Sequence, residues 1–218
     1  MGRLAAIAVV VAATVALGAP AADAKSKPKS KGGSVTQQDI QTCIGANGSS
    51  PKEQVPACSK VIASGKVKHP YEGDYYAMRG AALYKLRAFD KALEDYNKAI
   101  TIRPKPEMYF ERALVHMAKQ DVEAAKSDLA QVMKLKPAFA PSYFMRGLIS
   151  YDAGEYAEAV KHFDGAVQRL PAYYQAIYAR GVAKKRAGDE SGGEKDIKEA
   201  RGMSARIDAE MEKLGLKL

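Results

Sequence analysis

YYAMRGAALYKLRAFDKALEDYNKAITIRP, residues Tyr75 to Pro104, carries the pattern that decides the fold. In it the small residue Gly80 is followed twelve positions on by Ala92 and four further on by Tyr96, and Pro104 closes the stretch. The same landmarks return downstream. Gly80, Ala113, Gly147 and Gly181 recur at spacings of 33, 34 and 34 residues. They are trailed by Ala92, Ala125, Ala159 and Gly193, then by Tyr96, Leu129, Phe163 and Ile197, and the first three copies end at Pro104, Pro137 and Pro171. Two antiparallel helices approach closely only where both carry a small side chain, and the large residue one turn on fills the groove beside them. Proline then stops the second helix, because it has no amide proton and clashes with the preceding turn. Each copy reads as a helical hairpin that cannot bury its apolar faces alone, so the copies must stack.

These residues resemble the tetratricopeptide repeat family, whose pattern runs aromatic, small, bulky, then alanine, aromatic and proline. The first copy carries it through Tyr76, Gly80, Leu83, Ala92, Tyr96, Ala99 and Pro104, and the third through Tyr143, Gly147, Gly154, Tyr156, Ala159, Phe163, Ala166 and Pro171. The second copy has Ala113 for glycine. The fourth has Gly193 where alanine is usual and no closing proline. One departure is uniform: Arg79, Arg112, Arg146 and Arg180 precede the small residue, where the family often has leucine. The resemblance implies an all-α solenoid of antiparallel helical hairpins, with repeats at 73–105, 106–139, 140–173 and 174–202 inside a region 70–202. It implies partner binding rather than catalysis.

The ends read differently. MGRLAAIAVVVAATVALGAPAADA, residues 1–24, has Arg3, an apolar run from Leu4 to Leu17 and the small-x-small site Ala22-Asp23-Ala24. That is the layout of a secretory signal peptide, shorter in its apolar run than a membrane-spanning helix, and an uncleaved anchor is the alternative. The expectation is an exported, periplasmic protein maturing near Lys25. Residues 25–35, KSKPKSKGGSV, hold four lysines, one proline and two glycines, too little apolar surface to offset the entropy of ordering them. The segment reads as a soluble spacer, with a basic arm for an anionic envelope surface as the alternative. At the other end Met203, Ile207, Met211 and Leu214 share one helical face, so 203–218 reads as a capping helix.

The formal net charge is +9 with no tryptophan, and four of those charges lie in the lysine-rich segment. The folded part is then only mildly basic, and no run of alternating basic and aromatic residues favours nucleic acid. Two cysteines, Cys43 and Cys58, fall in 36–69. TQQDIQTCI and KEQVPACSKVIASG read as short helices joined by GANGSSP, hence antiparallel, an arrangement that can bring the sulfurs together. Signal-bearing bacterial members of the resembled family often begin with such a cysteine-paired hairpin, which supports a structural disulfide. A redox-active pair is the alternative, without a Cys-x-x-Cys motif.

Function must then come from the surface. On the first helices, Tyr76, Gly80 and Leu83 and their equivalents face the second helix of the same hairpin. The adjoining stripe runs Ala77, Ala81, Tyr84; Phe110, Leu114, Met117; Phe144, Leu148, Tyr151; and Tyr178, Val182, Lys185. In the resembled family this stripe lines an inner groove that receives peptides or helices, so Tyr84, Phe110, Leu114, Met117, Phe144, Leu148, Tyr151 and Tyr178 are the candidate anchors for a protein partner. The alternative is that neighbouring first helices, or the C-terminal helix folding back, already cover them. The polar residues that clamp a C-terminal carboxylate in one branch of the family are absent from the stripe.

Arg79, Arg112 and Arg180 are matched on the second helices by Asp95, Asp128 and Asp196, an arrangement that pairs charges within each hairpin. The third copy has His162 in that place, beside Asp164, which leaves Arg146 as the exception. His69, His116 and His162 are too far apart for metal-ligand spacing. GDESGG at Gly188 to Gly193 is not a protease nucleophile motif, since Glu190 is inserted, and Asn47-Gly48-Ser49 reads as a turn. The expectation is therefore a non-enzymatic interaction scaffold of the cell envelope, with no cofactor, no metal and no nucleic acid. The alternative is a binder of anionic envelope polymer or lipid.

Overall fold

The structure is a computed structural model that describes residues 35–216; the signal-like segment, the lysine-rich segment up to residue 34 and the last two residues lie outside the described residues. Among the described residues there are eleven helices. They are α1 (Gln37–Cys43), α2 (Pro51–Ala63), α3 (Glu72–Lys85), α4 (Phe89–Ile102), α5 (Pro106–Ala118), α6 (Val122–Leu135), α7 (Ala140–Asp152), α8 (Tyr156–Arg169), α9 (Tyr174–Arg186), α10 (Glu190–Met203) and α11 (Ile207–Lys213). The fold is an all-α solenoid of helical hairpins. By compactness the described residues form two units, 35–115 and 116–216.

Local chemistry sets the helix ends. Thr36 and Ser50 form capping boxes with Asp39 and Glu53, which satisfies orphan amides at the starts of α1 and α2. Asp121 and Asp189 accept from the amides of Ala124 and Gly192 and so start α6 and α10. The turn inside each repeat needs one left-handed residue. Gly154 and Gly188 fill it with φ of 79° and 95°, whereas Arg87 and Gln120 fill the equivalent places with φ of 61° and 64°. A side chain there carries a steric cost that glycine avoids.

In the first unit α1 and α2 form a hairpin closed by the Cys43–Cys58 disulfide, with the two Cα atoms 4.7 Å apart. Cys43, Ala57, Cys58 and Val61 make its small core, with Val35, Ile40, Val67, Tyr75 and Met78 packed around them. Lys60 donates to both Asp39 oxygens at 2.8 and 3.0 Å. That bond, with those from Thr36, holds the Asp39 carboxyl down at about 2. The helix α3 packs on α2 and α4. Gly80 lies against the buried Tyr96 ring, and Asp74 at the start of α3 is held by Lys105 and, at 3.5 Å, by Arg103.

In the second unit α7 packs on α6 and α8, and α9 packs on α8 and α10. Gly147 faces Phe163 across the α7/α8 hairpin, and Gly181 faces the backbone of Gly193 across α9/α10. The last helix, α11, lies on α9 and α10 and buries Ile207 and Met211 completely.

Candidate functional site

The eight stripe residues are not free side chains. Phe110, Leu114, Met117, Phe144, Leu148 and Tyr178 are 2% exposed or less, Tyr84 is 6% exposed and Tyr151 is half-buried. Neighbours account for several of them. Phe144 packs its ring on Phe163 at 5.7 Å and on Tyr173 at 5.2 Å. Tyr84 packs on Phe89 at 5.9 Å, and Tyr151 on Tyr156 at 5.3 Å. Tyr178 donates from its hydroxyl to Asp208 at 2.8 Å, so the C-terminal helix is hydrogen-bonded onto the stripe position of the fourth repeat. Arg201 grips the same carboxylate through Nε and Nη2. The stripe is apolar and aromatic as its sequence indicates, but it is enclosed rather than an open trough.

The arginine row is the most regular polar feature. Arg79 donates through Nε and Nη2 to Asp95, both at 2.8 Å, and Arg180 does the same to Asp196 at 2.7 and 2.8 Å. Such two-pronged pairing fits a planar guanidinium to a carboxylate and holds the two helices of a hairpin in register. Asp95 and Asp196 are each 3% exposed, so these are interior pairs. The third nitrogen does something the spacing did not reveal. Arg79 Nη1 donates to Ser59 on α2 at 2.9 Å, and Arg180 Nη1 to Asp164 on α8 at 2.8 Å. Arg112 Nη1 donates to Asn97 on α4 at 2.6 Å. Each arginine thus reaches the second helix of the preceding hairpin. A signal was present: Asn97 and Asp164 each follow the large landmark residue, Tyr96 or Phe163.

The third repeat breaks the row. Among the described residues Arg146 has neither a side-chain hydrogen bond nor an ion pair, since His162 replaces the aspartate and Ala130 stands where Asn97 and Asp164 stand elsewhere. His162 Nε2 is buried 3.5 Å from a Glu158 oxygen and makes no hydrogen bond. Burial, reinforced by Arg146, pushes its pKa below the ordinary value, so the imidazole is neutral at pH 7. Beside it the turn of this repeat borders a shallow hollow of about 500 Å³, lined by Glu155, Tyr156, Glu158 and Lys161 with Ala187 from the next turn. Among the described residues no three His, Cys, Asp or Glu side chains are grouped to hold a metal, and no helix is long and apolar enough to cross a membrane.

Models of the tetratricopeptide repeat match residues 73–106 and 110–183, the stretches in which the small and large landmarks interlock. The chain is a tetratricopeptide-repeat protein. Among curated relatives, it is 32% identical over 87 residues to the Hsp70-Hsp90 organising protein of Plasmodium falciparum, covering 33% of this chain and 15% of that protein. It is 25% identical over 100 residues to serine/threonine-protein phosphatase T of Trypanosoma brucei brucei, covering 46% and 21%. The chain therefore spans less than a quarter of the length of these relatives. Among solved structures, MamA from Desulfovibrio magneticus RS-1 superposes with a TM-score of 0.66 at 16% identity, over 80% of this chain and 99% of that one. YrrB, described as a tetratricopeptide-repeat protein with an unusual peptide-binding site, superposes with a TM-score of 0.61 at 12% identity, over 80% and 86%. These likenesses establish the repeat fold. As a class, repeats of this type serve protein–protein interaction.

Proposed function

We propose that this tetratricopeptide-repeat protein is a non-enzymatic scaffold of the cell envelope that takes up a segment of a protein partner along its inner stripe. The observation that carries the reading is that the stripe positions of the repeats are aromatic or aliphatic in each unit, Tyr84, Phe110 and Leu114 in the first and Met117, Phe144, Leu148 and Tyr178 in the second. Its class comes from the repeat family. The envelope setting is supported by the signal-like start and by the Cys43–Cys58 disulfide, a bond that persists in oxidising compartments. The enclosure of Phe110 and Phe144 changes how a partner gains access. It enters by displacing what covers them, beginning at the half-buried members Tyr151 and Lys185.

The test is affinity capture from envelope extract at low and high salt, comparing the wild type with Tyr151→Glu on the stripe and Lys198→Glu on the exposed side of α10. A defined protein recovered at both salt levels by the wild type and Lys198→Glu, and lost with Tyr151→Glu, supports the stripe. Recovery only at low salt, chiefly of anionic polymer or lipid, moves the function to the lysine-rich segment, because screening weakens that contact and not an apolar one. N-terminal sequencing of the exported protein should begin near Lys25, and a retained Met1 would remove cleavage from the account.

A further inference from the structure

The helix α11 enters the second unit in register with the repeats before it. Ile207 follows Tyr173 by 34 residues, as Tyr173 follows Phe139, and Tyr173 seats its ring on the stripe residue Phe144 of the preceding repeat. The helices α7 and α9 run for 13 residues each, whereas α11 stops after 7 and turns at Gly215, whose φ is 78°. Its apolar face is committed all the same: α11 lies on α9 and α10, and Ile207, Met211, Leu214 and Leu216 are all buried. On its polar side one carboxylate is held. Asp208 accepts from the Tyr178 hydroxyl at 2.8 Å and from Arg201 Nε and Nη2 at 2.9 and 2.8 Å. The side chains of Asp208 and Arg201 are each about half exposed, so water reaches the pair and screens it. The connection 203–206 is largely exposed as well. What lies beneath does not depend on α11, because Arg180 with Asp196 and the crossing of Gly181 with Gly193 already join α9 to α10.

We propose, resting on the partner reading above, that α11 is an exchangeable strap and that the fourth repeat takes in its place an amphipathic helix of a protein partner with the same pattern. That pattern is an apolar residue followed at once by aspartate, with apolar residues three and six positions after the aspartate, as in Ile207, Asp208, Met211 and Leu214. The incoming aspartate takes over the Tyr178 hydroxyl and the Arg201 guanidinium, and the incoming apolar residues refill the seat on α9 and α10. Release of the strap costs little. So short a helix does not hold itself, its ion pair is open to water, and only its apolar contacts keep it in place. A tethered strap is favoured by its effective concentration, so an incoming segment must add contact to displace it. One that continues as a helix past the position of Gly215 does so.

The probe is a fluorescein-labelled peptide of residues 204–216, titrated with the full chain and followed by anisotropy. The wild type should bind it weakly, because α11 occupies the seat. Met211→Glu, whose charge expels α11 and leaves α9 and α10 unchanged, should bind it at least about tenfold more tightly. The same peptide carrying Asp208→Ala should bind the Met211→Glu chain roughly tenfold more weakly. Equal affinity of the two chains, or of the two peptides, overturns the proposal. Should Met211→Glu fail to fold, the Met211 methyl resonance of the wild type decides: excess peptide should move it to the position of an exposed methionine, and a resonance that stays in place refutes the exchange. Peptide affinity that falls as the wild type dimerises makes the α11 of a second copy the occupant and refutes the partner assignment. Failure of the strap is distinct from failure of the stripe, since envelope capture that is lost with Tyr151→Glu, in a chain that never exchanges the peptide, sustains the stripe and removes the strap.

Discussion

The close crossings within the hairpins predict a graded response to one substitution made at three equivalent places. A methyl built on Gly80 meets the Tyr96 ring at 3.2 Å, a tight contact that a small ring shift relieves. Replacing a helical glycine by alanine gains about 1 kcal/mol of helix propensity, so Gly80→Ala should fall within about 0.5 kcal/mol of the wild type. A methyl on Gly147 stands 2.5 Å from two carbons of Phe163, whose ring is fully buried against Phe144 and has little room to retreat. Overpacking of that kind costs about 1–3 kcal/mol, and after the propensity gain Gly147→Ala should lose about 1–2 kcal/mol. At Gly181 the obstacle is main chain: the methyl meets the Gly193 carbonyl oxygen at 2.8 Å, Ile197 at 2.9 Å and the Asp196 Cβ at 3.0 Å. Asp196 is pinned by Arg180, so α9 and α10 must separate as bodies, and Gly181→Ala should lose about 2–3 kcal/mol. Urea unfolding, with unchanged slope and shifted midpoint, measures the series. Gly193→Ala presses on the same crossing from the other side. The double variant should therefore cost less than the two singles combined, because one separation serves both. If Gly181→Ala proved as stable as Gly80→Ala, the backbone-limited crossing would be wrong.

Three further outcomes follow from the same contacts. Replacing Cys43 and Cys58 by alanine opens a loop of sequence separation 15 and should cost about 3 kcal/mol, seen as faster hydrogen exchange in α1 and α2; unchanged protection there would deny the disulfide a stabilising role. Arg180→Leu leaves Asp196 with Lys184 alone and Asp164 with Gln168 alone, and should lose about 2–4 kcal/mol in chemical denaturation, while Arg146→Leu should stay within about 1 kcal/mol; equal losses would refute the distinction. Gln120→Gly relieves a left-handed backbone and should gain about 0.5–1 kcal/mol in the same assay, so a loss would show that the side chain contributes contacts unrelated to the turn.

The fold was legible because its determinants are local and repeated. Small and large landmarks recur in register, and each copy confirms the reading of the others, so Gly80 facing Tyr96 and Gly147 facing Phe163 follow from spacing alone. The same logic reached Arg79 with Asp95 and Arg180 with Asp196. It stopped at the hairpin boundary: the bonds to Ser59, Asn97 and Asp164 depend on how far each hairpin is offset from the one before, and helix periodicity within one copy does not encode that offset. The stripe was legible as apolar, while its enclosure stood in the sequence only as an alternative. Exposure of Phe144 or Tyr178 is decided by what arrives from elsewhere in the chain, here Tyr173 and Asp208.

The two ends of the stack show why departures carry information. The first hairpin and the last helix are held differently from the repeats between them. Cys58 stands 34 residues before Ala92, in the place where the later hairpins carry their small contact residue, so the disulfide occupies the very crossing that close packing secures elsewhere. Arg79 then ties that stapled hairpin to the first repeat through Ser59. At the other end α11 is only seven residues long and cannot hold itself as a helix, since nucleation costs more than so few backbone bonds return. Ile207 and Met211 supply the apolar contact, and Asp208, shared by Tyr178 and Arg201, fixes its direction. The first hairpin is thus secured by a covalent bond and α11 by a polar one. A partner that enters along the stripe of the fourth repeat must compete with that Asp208 contact, because Tyr178 cannot serve both at once.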